Sequence, residues 1–103
     1  MYQVVLCTCP DEKTAHAIAN MLVSEKLAAC VNIFPNVTSV YMWEKKLESA
    51  SEVKLFIKTE ASKLDILSQR IADIHPYDVP EIVALNIQQG NNDYLNWITE
   101  SLK

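Results

Sequence analysis

Residues 37–59 read VTSVYMWEKKLESASEVKLFIKT, and the folding of this stretch decides the architecture. Val37–Trp43 and Glu52–Lys58 are rich in β-branched and aromatic residues, and the segment between them is charged and polar. Two strand-like runs that close in sequence predict a long hairpin. Before it, AACVNIF (28–34) is another apolar run of strand length, stopped by Pro35-Asn36. After it, ASKLDILSQRIADI (61–74) carries Leu64, Leu67, Ile71 and Ile74 at helical spacing, with Ser62 as an N-cap.

Further out, YQVVLCTC (2–9) reads as a strand ended by Pro10. A helix follows it, with Ala15, Ile18, Ala19, Leu22 and Val23 on one stripe. Pro10, Asp11 and Glu12 suit its N-terminus, where a missing amide and a negative charge are both tolerated. EIVALNI (81–87) is a last strand, Gly90 marks a turn, and Asn91 or Asn92 caps a final helix bearing Leu95, Ile98 and Leu102. The order β-α-β-β-α-β plus a C-terminal helix is an α+β, ferredoxin-like split βαβ arrangement. It predicts an antiparallel sheet with two helices on one face. There is no repeat or linker, so residues 1–103 read as a single domain.

The other face of that sheet is expected to be polar if water covers it. Instead, Val4 and Leu6 point one way while Val5 and Cys7 point the other, and the last strand is apolar on both sides. Two helices cannot cover both faces, and monomers rarely expose so large an apolar patch. Further copies of the chain in a closed symmetric oligomer would cover it. The alternative is that the terminal helix folds across the bare face.

Composition excludes several roles. The formal charge is −4 with no basic stripe, and the aromatic pairs Tyr41/Trp43 and Tyr94/Trp97 form no base-stacking platform beside Arg or Lys. Neither nucleic acid nor a membrane is an expected partner, and no stretch approaches the ~20 apolar residues of a membrane span. The aromatic pairs read as core or subunit interface. MYQVVLCTCPDEK (1–13) does not read as a signal peptide, and the cysteine count of three rules out complete internal pairing. A cytoplasmic chain with free thiols is the expectation.

The chemistry-bearing residues gather in ADIHPYDVPEI (72–82) and in the first strand. His75 ends a helix before Pro76, where it serves either as a cationic cap or as a ligand. Cys7, in a central strand, is either a plain core residue or a soft partner for copper or zinc. Glu81 either completes a Cys/His/carboxylate site or is solvated. Lys54 and Lys58 alternate with Leu55 and Ile57, facing either an anionic ligand or solvent. No Gly-rich phosphate loop, G-x-S-x-G or metal-ligand spacing motif occurs, so an enzyme is not expected.

VVLCTCPDEKTA, LVSEKLAACVNI, SVYMWEKKLE, EVKLFIKT, IHPYDVPEIV and GNNDYLNWI together resemble the divalent-cation tolerance (CutA) family, from about Val4 to the end. The resemblance implies a tight ferredoxin-like homotrimer akin to the PII signalling proteins, with clefts between subunits. It also implies a cytoplasmic protein linked to tolerance of copper and other divalent metals. Cys7 and His75 match positions proposed as copper ligands in bacterial members, with Glu81 close by. Two positions depart from the pattern. Ile74 stands where one bacterial member has a second His, which removes a ligand. Lys45 replaces the Gly of the hairpin turn, so the turn must avoid positive φ or accept a strained Lys.

Overall fold

Asp11 caps the first helix, its carboxylate accepting the Thr14 amide at 2.7 Å. The computed structural model describes all 103 residues. The strands are β1 (Tyr2–Cys9), β2 (Cys30–Trp43), β3 (Lys46–Glu60) and β4 (Ile82–Asn86). The helices are α1 (Glu12–Ser24), α2 (Leu64–Ile74) and α3 (Asn92–Ser101). The sheet order is β2-β3-β1-β4, with every neighbouring pair antiparallel, which is the split βαβ topology. No helix is long and apolar enough to cross a membrane.

Three local expectations change. Pro35-Asn36 does not stop a strand; β2 runs through it with a register shift between Phe34 and Val37, and Asn36 takes φ 60°. A β-bulge on an edge strand is where a sheet tolerates Pro, because no ladder bond is lost there. Ser62 does not cap α2, since it lies inside a 3₁₀ turn (Ala61–Lys63) that precedes the helix. The charged segment 44–51 is mostly strand, and the hairpin closes in a two-residue turn of Glu44 and Lys45. The arm beyond the bulge gives the molecule extents of 45 × 26 × 22 Å.

The hairpin turn accepts strain: Glu44 and Lys45 have φ of 51° and 66°, the signs a type I′ turn demands at both central positions. A side chain there costs about 1–2 kcal/mol per residue. Glycine at position 45 relieves it, less what its looser unfolded chain takes back. Lys45→Gly is therefore expected to raise stability by about 1 kcal/mol. A urea midpoint at or below the wild-type value would refute this.

The two sheet faces differ. Inward, Val5, Cys7, Cys9, Val53, Leu55 and Ile57 pack beneath Ala15, Ile18 and Leu22 of α1 and Leu67 and Ile71 of α2, all of them buried. Val23 and Ile74, at the helix ends, are exposed instead. Register places Val4, Leu6, Phe34, Phe56, Val83 and Leu85 outward. The exposure of the last four runs from 36% for Phe56 to 51% for Leu85. Helix α3, capped by Asn91, covers only one end of this face. Ile98 and Leu102 pack there with Ala29 and Tyr2, and Tyr2 bonds Thr99 at 2.6 Å. Most of the outer apolar face is bare in the single chain.

Candidate metal centre

Pro76 ends α2, and His75 leaves it in extended conformation (φ −75°, ψ 133°) with its amide still bonded to Ile71 O. The imidazole therefore turns under the sheet toward β1. There the strand alternation presents Cys7 and Cys9 on the same inner face. The ligand atoms of Cys7, Cys9 and His75 all lie within 4.8 Å of one another, and all three side chains are buried. The structure thus brings together two residues 68 positions apart, Cys7 and His75. It also adds Cys9, whose i+2 spacing was the available signal.

Both imidazole nitrogens already have partners. Nδ1 accepts the Tyr77 amide at 3.1 Å, which leaves Nε2–H to donate to Thr8 O at 2.8 Å. The imidazole thus does not bond the carbonyls of its own helix; it ties the end of α2 to β1. Its ring lies 4.8 Å from that of Tyr77, whose hydroxyl donates to Glu52 at 2.6 Å.

The thiols act as a pair. A hydrogen bond to Cys9 pushes the Cys7 thiol up, with burial adding to it, while Cys9 is lowered as the partner in that bond. The donor set itself, two sulfurs and an imidazole, is soft and suits copper or zinc. It fits such an ion only if His75 gives up one of its two backbone bonds.

Glu81 stands apart. It lies with Thr8 on the outer face, accepting Thr8 Oγ1 at 2.6 Å and Lys54 Nζ at 2.8 Å. Lys54 is therefore an internal partner, and Lys58 likewise turns to Asn32 and Cys30. Burial works to raise the Glu81 carboxyl, but the bonds from Lys54 and Thr8 outweigh it and hold the group below its usual range. A depressed folded-state value stabilises above the unfolded carboxyl range, near pH 4.3, and that stability is lost as pH falls through the lower folded value. With Glu81 37% and Lys54 26% exposed, so that water screens the pair, Glu81→Gln is expected to cost about 1 kcal/mol at pH 7. Its deficit against wild type is expected to vanish toward pH 3. Urea titrations at both pH values check this; a deficit independent of pH would refute the ion-pair account.

The family model described as CutA1 divalent ion tolerance protein matches residues 3–101. The chain belongs to the CutA family. A CutA protein of Thermus thermophilus is 48% identical over 101 residues, covering 98% of each chain. Its solved structure superposes with a TM-score of 0.95. The solved CutA of Archaeoglobus fulgidus, described as a periplasmic divalent cation tolerance protein, superposes at 0.96 with 37% identity and full coverage of both chains. Mouse CutA is 47% identical over an alignment of 98 residues that covers 92% of this chain but 55% of the mouse protein. The chain thus spans about half the length of its mouse relative. In this CutA chain Ile74 is 42% exposed and outside the buried group, so the third side chain beside Cys7 and His75 is Cys9, not that of position 74.

Proposed function

We propose that this CutA chain is a non-enzymatic homotrimer of the cytoplasm that binds copper or another divalent metal ion in divalent-cation tolerance. The convergence of Cys7, Cys9 and His75 carries the reading. The names of the relatives support the tolerance role. The bare apolar face supports the trimer, since three copies in a closed ring would keep water from it. Three free cysteines suit a reducing compartment. The chain carries no Gly-rich phosphate loop and no G-x-S-x-G motif, which supports a non-enzymatic role. Cys7 and Cys9 would hold the ion through sulfur and His75 through a ring nitrogen; Glu81, on the far face, would not.

Copper titration of the purified oligomer tests it. Cys7→Ser, Cys9→Ser and His75→Ala are each expected to weaken binding at least about tenfold. Equal binding by all four proteins would remove the site.

A second reading rests on the satisfied imidazole. Because His75 is fully bonded without an ion, the cluster holds the fold together unaided. On that reading the chain is a PII-like signalling or structural trimer whose intersubunit clefts take a small molecule or a partner protein. Thermal-shift screening separates the two: copper raises the melting temperature of a metal binder, and a metabolite that of a sensor.

A further inference from the structure

A neutral imidazole has a lone pair on one ring nitrogen and a proton on the other. In His75 the lone pair is on Nδ1 and already accepts the Tyr77 amide at 3.1 Å, while Nε2–H donates to Thr8 O at 2.8 Å. An ion has two ways in. Held at Nδ1, it takes the lone pair from the Tyr77 amide directly. Held at Nε2, it leaves the ring proton on Nδ1, which then meets the Tyr77 N–H donor to donor. The ring gives up its bond to Tyr77 in both cases.

That bond matters beyond the ring. The loop Pro76–Pro80 makes no backbone–backbone hydrogen bond, and its two prolines have no N–H to give. Its hydrogen bonds both come from Tyr77, the amide to His75 and the hydroxyl to Glu52 at 2.6 Å. The Tyr77 ring also packs on that of His75, with centroids 4.8 Å apart. Glu52 pairs with Val37, the first register position beyond the β2 bulge, so the hydroxyl bond reaches the base of the hairpin arm. One residue thus joins the imidazole to the arm and fixes the loop between them.

We propose, resting on the metal-binding reading above, that Tyr77 is the positioning residue of the Cys7–Cys9–His75 site: its amide and the ion compete for the ring of His75, so loading undocks the Pro76–Pro80 loop and the docked loop holds ion affinity down. Linkage makes the two effects equal. The factor by which a docked loop weakens ion binding is the factor by which the ion weakens docking. Cys7 and Cys9 lie on β1 and take no part in this competition.

The test is an NMR titration of the purified oligomer with monovalent copper, kept reduced by ascorbate under nitrogen. This ion is diamagnetic, so the amide signals survive. At saturation the Tyr77 amide is expected to exchange with solvent at least about tenfold faster than in the ion-free protein. The His75 amide, bonded to Ile71 O, is expected to stay protected, because a bound ion slows global opening by mass action. Tyr77→Phe, which deletes only the hydroxyl bound to Glu52, is expected to bind copper roughly fivefold more tightly, opposite in sign to the Cys7, Cys9 and His75 variants. If Tyr77 merely held the site together, the same variant would bind more weakly. A Tyr77 amide unchanged in the loaded protein, or a Tyr77→Phe affinity at or below wild type, would overturn the coupling and leave the metal site standing. No saturable copper binding by the wild type would remove both.

Discussion

Phe56→Asp is expected to turn the proposed trimer into a folded single chain of 11.7 kDa. Phe56 lies on β3 in the middle of the outer face, 4.8 Å from Phe34 between ring centroids, and opposite Leu6 in register, which itself pairs with Val83. Full burial of an apolar side chain contributes about 1.5–3 kcal/mol. The four half-exposed side chains Phe34, Phe56, Val83 and Leu85 would add roughly 3–6 kcal/mol per chain on association. A carboxylate placed among them loses its share and costs several kcal/mol more as an unpaired charge taken out of water. Together these weaken association by roughly three orders of magnitude. Within one chain the substitution is mild, because position 56 points away from the core. Sedimentation velocity at micromolar concentration, with circular dichroism to confirm folding, reads the outcome. If the variant keeps the wild-type mass, the bare face is not the interface, and the proposed trimer loses its physical basis.

The second large effect concerns His75. His75→Ala removes the acceptor for the Tyr77 amide and the donor to Thr8 O, and it leaves a cavity beneath the sheet. Two lost hydrogen bonds cost about 1 kcal/mol each, and a buried carbonyl left unpaired adds about 1–3 kcal/mol. The expected loss is therefore roughly 3–5 kcal/mol, large for a domain whose total stability is about 5–15 kcal/mol. At a urea slope of about 1–3 kcal/mol/M, the midpoint falls by about 2 M. The measurement belongs at fixed protein concentration and with chelator present, because a bound ion or a partner chain stabilises by mass action. A loss that appears only when copper is added would show that His75 works as a ligand and not as a tie between α2 and β1.

Much of this was legible along the chain. The helical stripe of Ala15, Ile18, Ala19 and Leu22 predicted the buried face of α1, and the hairpin predicted an antiparallel β2–β3 pair. Both are local periodicities, carried by residues a few positions apart. The Pro35-Asn36 bulge was misread because proline is a breaker in most contexts. An edge strand is the exception, and edge status depends on the order β2-β3-β1-β4, not on neighbours in sequence. Ser62 failed as a cap for a related reason: a 3₁₀ turn that moves the helix start has no strong sequence mark.

The candidate site divides along the same line. Cys7 and His75 were readable as chemistry-bearing residues, but their meeting was not. Cys9 joined them through strand alternation, while Glu81, one residue out of phase with Ile82, fell on the opposite face beside Lys54. A pleated strand sends adjacent side chains to opposite sides, so one step in register separates a ligand from a bystander.

Periodicity and composition were enough to determine the elements, their order, the apolar character of both sheet faces and the absence of nucleic-acid or membrane-span signals. Only the folded chain decided which donors converge, that both nitrogens of His75 are already spoken for, and that Tyr77 ties the loop after His75 to both the imidazole and Glu52. The reason is range: repeats of two or 3.6 residues are written locally, whereas a site is a distance between atoms whose residues lie tens of positions apart.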